Sequence, residues 1–286
     1  MNGIIIIDKP GGWTSHDTVA KLRGLLGERR VGHGGTLDPM ATGVLPVFTG
    51  RATRAVSFLP GDKEYQAVLR LGMTTDTQDI TGKVITSCDN SVSLQQVVEA
   101  ANGFLGDVMQ TPPMVSAVKV GGRRLYSLAR EGIEVERAAR PVTFGRIGVT
   151  HIAGHDYALD VSCSGGTYIR TLCHDIGRRL GCGGVLARLR RVRCGPFTLD
   201  GALTLEQVAA ASGRASLLLP ADSLFSALPA VTATPAQRER ILHGGRYTIR
   251  DTSDGDYRVY SQDGVFLMLG RVREGVMETV KSFFDV

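Results

Sequence analysis

The sequence predicts an α+β fold with a mixed sheet, in which a large domain at residues 1–222 is followed by a small β-rich module at residues 228–286. Strand-like and helix-like patterns alternate irregularly in the first 222 residues, which favours a mixed sheet over a doubly wound parallel sheet. Near residues 228–230 the pattern changes to one short helix followed by closely spaced strands. These two observations define the expected architecture.

Local patterns place the individual elements. Apolar and β-branched runs bounded by Gly, Pro or Asp predict strands in the large domain at residues 3–7, 44–48, 65–71, 142–150 and 159–162. Helical periodicity predicts helices at residues 15–26, 93–101 and 167–180, the first with Ser15 as its N-cap and Gly27 as its stop. In the module we expect a helix at residues 235–242 and strands at 257–261, 265–272 and 276–281.

The composition excludes several classes of protein. No stretch approaches the roughly 18 consecutive apolar residues of a membrane span, and the short apolar run at residues 4–7 does not resemble a secretory signal. The five cysteines contain no C-x-x-C spacing, so we expect no disulfide framework, no structural zinc site and a cytoplasmic location. No glycine-rich nucleotide-binding motif occurs, so we expect no nucleotide cofactor.

The positive charge is unevenly distributed. The net charge is +5, and residues 223–286 contain eight basic and eight acidic residues, so the whole excess lies in the first 222 residues. There, residues 178–193 hold six arginines and no acid, and a second basic cluster comprises Lys119, Arg123, Arg124 and Arg130. Either stretch is compatible with a solvated face or with a surface that binds anions such as nucleic acid.

A glycine-rich segment at residues 31–47 contains a candidate reactive carboxylate, Asp38. Its glycines permit close approach of a ligand or positive φ, and Pro39 restricts Asp38 to an extended conformation. By residue type alone, the segment fits a stiff loop that presents Asp38 to a ligand and equally a tight turn ended by Asp-Pro.

A second segment places small residues before a helix, at residues 163–172. Glycine-rich backbone at a helix N-terminus attracts anions, and Arg170 is suited to pair with a carboxylate from elsewhere in the chain. The alternative is that Tyr168 is an ordinary core aromatic and Arg170 a surface charge.

Seven motifs in order resemble those of the bacterial TruB-type tRNA pseudouridine-55 synthases, over nearly the whole chain. They are D-K-P-x-G-x-T-S at 8–15, G-H-G-G-T-L-D-P-M-A-T-G-V-L-P at 32–46, D-K-E-Y at 62–65, T-D-T-Q-D-I-T-G at 75–82, P-P-M-V-S-A-V-K at 112–119, G-T-Y-I-R-T-L at 166–172 and L-R-R at 189–191. The resemblance implies a pseudouridine synthase fold with an RNA-gripping insertion at about residues 107–140 and a C-terminal PUA-like domain.

The resemblance also implies roles for single residues. Asp38 matches the catalytic aspartate, Tyr65 the aromatic that stacks on the target base, and Arg170 the arginine that pairs with the catalytic carboxylate. Further matches concern the pocket for the flipped nucleotide and its support: His33, Tyr168, Leu189 and Asp79. We interpret four basic residues as phosphate contacts, namely Lys119, Arg188, Arg190 and Arg191.

The activity implied is isomerisation of uridine 55 in the T-loop of tRNA, by base flipping, without cofactor, guide RNA or obligate protein partner, in a monomer. A carboxylate serves this reaction as a nucleophile at C1′ or C6, or as the base that removes the 2′ proton. Two alternatives are an inactive RNA-binding module and a guide-dependent synthase of the dyskerin type. The presence of Asp38, Tyr65 and Arg170 argues against the first, and the insertion against the second.

Overall fold

A computed structural model describes residues 1–89 and 91–284. Its strands are β1 (Gly3–Lys9), β2 (Val31–His33), β3 (Thr42–Thr49), β4 (Lys63–Leu71), β5 (Met73–Thr75), β6 (Val84–Ser87), β7 (Gly106–Gln110), β8 (Lys119–Val120), β9 (Arg123–Arg124), β10 (Arg140–Ala153), β11 (Asp156–Cys163), β12 (Gly184–Cys194), β13 (Phe197–Thr198), β14 (Ala230–Thr232), β15 (Tyr247–Thr248), β16 (Gly255–Tyr260), β17 (Phe266–Arg273) and β18 (Val276–Ser282).

The α-helices are α1 (Ser15–Leu26), α2 (Leu94–Asn102), α3 (Leu125–Arg130), α4 (Ile169–Arg179), α5 (Leu205–Ala210) and α6 (Pro235–Leu242). Short 3-10 helices lie at Gly50–Phe58, Leu199–Gly201, Arg214–Leu217 and Ala221–Phe225. In the described part of the chain, no helix is long and apolar enough to cross a membrane.

One mixed sheet organises the large domain. Its main path runs in the order β1-β3-β12-β4-β11-β10-β7, with β2 added to β3 and β13 to β12. Strands β3 and β12 are parallel, whereas the other neighbours are antiparallel. Helices α1, α2, α4 and α5 contribute side chains to the core that includes Ile5, Leu45, Leu69 and Leu172. The structure confirms the predicted α+β class.

The C-terminal module is a five-stranded sheet in the order β14-β16-β17-β18-β15, with α6 packed beside it. It contacts the large domain through an apolar cluster that includes Ile4, Phe48, Phe225 and Phe283. The predicted helix and three strands of the module all occur, each within a few residues of its expected bounds. Residues 285–286 of the predicted module lie outside the described part.

The insertion is shorter than its predicted bounds of 107–140. Strand β7 extends to Gln110, and Gln110 pairs with Arg140 at the start of β10. Residues 107–110 therefore belong to the main sheet, and the segment that leaves it comprises residues 111–139. This segment contains the hairpin β8–β9 and helix α3.

The arginine-rich stretch is the strand β12, which the sequence analysis did not predict because alternate arginines broke its apolar pattern. Arg191 is completely buried, and it donates to the carbonyl oxygens of Val44 (2.7 Å), Gly35 (2.8 Å) and Thr36 (3.4 Å). The prediction that Arg191 contacts phosphate is therefore wrong, because its guanidinium lies inside the protein. Arg190 is held by Asp8 through two hydrogen bonds of 3.1 and 2.7 Å, whereas Arg188 is exposed.

We predict that Arg191→Met lowers the free energy of unfolding by about 2–4 kcal/mol, because it leaves buried carbonyl groups without a donor. Arg188→Met is the matched control, since the same change at an exposed position of the same strand alters stability by less than about 0.5 kcal/mol. Urea denaturation of both variants at one pH measures the difference. Equal stability of the two variants would contradict the structural role of Arg191.

Candidate active site

Asp38 lies on the loop between β2 and β3. Residues of the D-K-P-x-G-x-T-S motif form hydrogen bonds with the main chain of this loop. The buried Lys9 ammonium donates to the carbonyls of Pro10 (2.8 Å), Trp13 (2.6 Å) and Pro39 (3.3 Å). The Ser15 hydroxyl accepts from the Leu37 N–H at 2.9 Å. Both neighbours of Asp38 are thus fixed by hydrogen bonds, so the stiff-loop interpretation of this segment is the one that the geometry supports.

One glycine of this segment is required by close packing. Gly43 has a φ of 102°, and a Cβ at this position would lie 2.1 Å from the carbonyl oxygen of Arg191. A side chain there would separate β3 from β12, the two parallel strands at which the Asp38 loop joins the sheet.

Arg170, in the first turn of α4, pairs with Asp38 through two parallel hydrogen bonds. Nε donates to Oδ2 at 2.9 Å, and Nη2 donates to Oδ1 at 3.0 Å. The Arg170 side chain is 2% exposed and that of Asp38 is 32% exposed, so the arginine is interior and the carboxylate faces open space. A two-pronged pair of this kind fixes the plane of the carboxylate and compensates its charge.

Two further donors of Arg170 are occupied by main-chain carbonyls. Nη1 donates to the carbonyl of Thr77 at 3.1 Å, and Nη2 donates to the carbonyl of Val115 at 2.8 Å. Asp79 lies 3.9 Å from Nη1, while its other carboxylate oxygen accepts from Thr77 and Thr81. Asp79 therefore stabilises the turn at residues 76–82 and adds negative charge behind Arg170.

The pair borders a cavity of about 240 Å³. Four of the predicted site residues contribute to its wall together with Asp38, namely Tyr65, Tyr168, Arg170 and Leu189. The wall also includes Lys63 and two residues of the insertion, Ser116 and Ala117. These three residues had no predicted role, although each lies in one of the seven motifs.

Tyr65 is buried on β4, with 6% of its surface exposed. Burial raises the pKa of its phenol to about 12, an effect that the neighbouring Arg191 opposes. The phenol is therefore neutral at physiological pH. Arg191 thus acts on the Tyr65 phenol electrostatically and holds the carbonyls of Gly35 and Thr36, which precede Asp38.

Two cations near the cavity have lowered pKa values. Burial lowers the pKa of Lys9 to about 8, although the negative charge of Asp38 opposes this shift. Burial also lowers the pKa of Lys63, whose ammonium group donates to the carbonyl of Gly61 at 2.6 Å. Lys63 is a cation of the cavity wall that was not predicted from the sequence, because the resemblance gave a role only to Tyr65 in the D-K-E-Y motif.

Six predicted residues lie away from this wall, and one of them, Asp79, lies behind Arg170. Lys119 is exposed on the hairpin β8–β9, Arg188 and Arg190 border a separate cleft, and Arg191 is internal. His33 lies at the end of β2, where its ring packs edge-to-face on His16 with centroids 5.5 Å apart. In residues 1–89 and 91–284, no group of three or more His, Cys, Asp or Glu side chains is placed to hold a metal ion.

We predict that His33 titrates near pH 4, because burial lowers its pKa from 6.5, with smaller contributions from His16 and Arg191. Above about pH 6.5 the imidazole is neutral in both the folded and the unfolded state. Its titration therefore does not change the free energy of unfolding in that range. As the pH falls from 6.5 towards 4, only the unfolded state takes up the proton, so stability decreases.

Between pH 6.5 and pH 4, the free energy of unfolding of the wild type should therefore decrease more than that of His33→Gln. Urea denaturation of both proteins at several pH values measures this difference. NMR titration of the His33 ring gives the pKa directly. A midpoint at or above pH 6.5 would contradict the buried, neutral imidazole.

Comparisons with known proteins assign the chain to a family. Residues 23–169 match the model for the TruB family pseudouridylate synthase N-terminal domain, and residues 170–226 match that for the tRNA pseudouridylate synthase B C-terminal domain. The tRNA pseudouridine synthase B of Heliobacterium modesticaldum is 50% identical over 236 residues, 81% of this chain and 77% of that protein. The protein of the same name from Dechloromonas aromatica is 44% identical over 265 residues, 92% of this chain and 89% of that protein.

A solved structure extends the similarity through the C-terminal module. A chain in the crystal structure of a Cbf5-Nop10-Gar1 complex aligns with a TM-score of 0.72 and 27% identity, over 99% of this chain and 85% of that chain. Together with the family matches, this shows that the chain belongs to the TruB family of pseudouridylate synthases.

Proposed function

We propose that this enzyme converts uridine 55 in the T-loop of tRNA to pseudouridine, with Asp38 as the catalytic residue. Formation of pseudouridine in tRNA follows from the family and from relatives named tRNA pseudouridine synthase B. The observation that carries the assignment of Asp38 is its carboxylate, which Arg170 holds by two hydrogen bonds at the wall of an aromatic-lined cavity.

The reaction moves the glycosidic bond within one nucleotide. The bond from ribose C1′ to uracil N1 breaks, a bond from C1′ to C5 forms, the proton of C5 is lost and N1 gains a proton. Asp38 serves as nucleophile at C1′ or at C6, or as the base for the 2′ proton. Each route needs a correctly oriented carboxylate, and the two hydrogen bonds from Arg170 supply that orientation.

The target base must leave the RNA stack to reach Asp38. Flipping costs a few kcal/mol, and stacking on an aromatic side chain returns roughly 1–3 kcal/mol. Tyr65 is the stacking residue of this proposal, and Tyr168 and Leu189 bound the flipped nucleotide, since all three line the cavity with Asp38. His33 lies on the same segment five residues before Asp38, and we assign it to the RNA loop outside the cavity.

The RNA backbone is held by basic side chains of the insertion and by Arg188. Lys119, Arg123, Arg124 and Arg130 lie on the hairpin β8–β9 and helix α3, in the segment that also contributes Ser116 and Ala117 to the cavity. Arg190 is paired with Asp8, so its share in phosphate binding requires that this ion pair rearranges. Contacts of this kind increase affinity without selecting a sequence.

The enzyme acts alone, as a monomer in the cytoplasm, without a guide RNA. Support comes from relatives that are named for tRNA and match at 43–50% identity. The main alternative is guide-dependent action, because structural neighbours include complexes of Cbf5 with Nop10 and Gar1 and an H/ACA RNP bound to a substrate RNA.

The test is incubation of the purified chain with an unmodified T-arm stem-loop, followed by mapping of pseudouridine. We expect wild-type enzyme to modify position 55 without any added RNA or protein. Asp38→Asn should give no product while binding the RNA with an affinity within about threefold of wild type, because it removes the reactive carboxylate and little contact area.

Asp200→Asn is the matched control, since this aspartate lies in the 3-10 helix Leu199–Gly201 and outside the cavity wall. Full activity of Asp38→Asn would refute the assignment of Asp38. Tight binding by the wild type with no product would favour an RNA-binding module, and product only after addition of a guide RNA would favour the guide-dependent alternative.

A further inference from the structure

Gln110 is a buried amide at the point where the insertion leaves the sheet. Gln110 is the last residue of β7, and only 5% of its surface is exposed. The insertion begins at the next residue, 111. No step of the proposed reaction uses its side chain.

Both polar atoms of the Gln110 side chain bind the main chain of one residue, Tyr168. Nε2 donates to the Tyr168 carbonyl at 3.1 Å, and Oε1 accepts from the Tyr168 N–H at 2.8 Å. Tyr168 is the residue before α4, and no side chain caps this helix. Because Arg170 follows two residues later, the Gln110 amide fixes the direction from which Arg170 enters the site.

The insertion also contacts Arg170 directly. The Val115 carbonyl accepts from Nη2 of Arg170 at 2.8 Å, and the same nitrogen donates to Oδ1 of Asp38. Ser116 and Ala117, the next residues, form part of the cavity wall. The segment 110–117 therefore contacts the catalytic pair at Arg170, the backbone beside it at Tyr168, and the cavity itself.

A purely structural role for Gln110 would be to complete the sheet. Its main chain already does this by pairing with Arg140 of β10, and its side chain is directed to the helix that carries Arg170 instead. The amide therefore connects the start of the insertion with the active site rather than with the sheet.

We infer that Gln110 is a positioning residue for pseudouridine formation, which couples the insertion that grips the RNA to the Asp38–Arg170 pair. The inference rests on the proposed function. When RNA holds the insertion in place, Val115 orients the Arg170 guanidinium and Gln110 orients the backbone from which it projects. Loss of Gln110 then slows the chemical step and leaves RNA affinity almost unchanged.

Single-turnover pseudouridine formation at saturating T-arm stem-loop tests this. Gln110→Met keeps the volume and removes both hydrogen bonds, so we expect the rate constant to fall about 10- to 100-fold and the dissociation constant for RNA to change by less than about threefold. Gln110→Glu keeps the acceptor and loses the donor, so we expect a smaller decrease in the rate constant. This variant tests the inference if Gln110→Met does not fold.

Val142→Ala is the control for general loss of stability. Val142 is buried on β10 opposite Val108 of β7, and it is absent from the cavity wall. We expect it to lower the melting temperature and keep the wild-type single-turnover rate.

Three results would overturn the inference: a wild-type rate for the Gln110 variants, weaker RNA binding with an unchanged rate, or equal slowing by Val142→Ala. The proposed function is judged separately, because it fails if the wild type itself forms no product on the stem-loop.

Discussion

The two hydrogen bonds between Asp38 and Arg170 are the constraint on which the rest of the site depends. A buried guanidinium has five N–H donors and is costly to bury unless they are occupied. Here Asp38 takes two, and the carbonyls of Thr77 and Val115 take two more. Three segments far apart in the sequence must therefore meet at α4, and the cavity is the space that remains between them.

The loop that carries Asp38 is stabilised by two further buried cations. Lys9 fixes Pro39 on one side of Asp38, and Arg191 fixes Gly35 and Thr36 on the other. Both donate to main-chain carbonyls, so they fix the loop while the Asp38 carboxylate pairs with Arg170. Preorganisation of this kind is how an enzyme avoids the cost of orienting its groups during the reaction.

Sequence patterns were sufficient where burial alone decides the structure, as in β4, the buried face of α1 and the strands of the module. The N-cap of α1 is Thr14 and not the predicted Ser15, which is the first residue of the helix. Sequence patterns failed at β12, where Arg190 pairs with Asp8 near the surface and Arg191 binds main-chain carbonyls in the core. Because both residues are arginines, the sequence does not distinguish these two environments. The pairing of Asp38 with Arg170 spans 132 residues and was inferred only through family resemblance, since no local spacing brings the two together. The contacts of Gln110 with Tyr168 left no local sequence signal, because both polar atoms bind main chain.

The orientation of Asp38 by Arg170 is tested most directly by the single-turnover rate of Arg170→Lys at saturating RNA. Lysine keeps the positive charge but cannot form two parallel hydrogen bonds to Asp38 while also serving Thr77 and Val115. If orientation of the carboxylate is what Arg170 supplies, the rate constant falls about 100-fold with little change in RNA affinity. A rate within about twofold of wild type would show that charge alone suffices and would contradict the account.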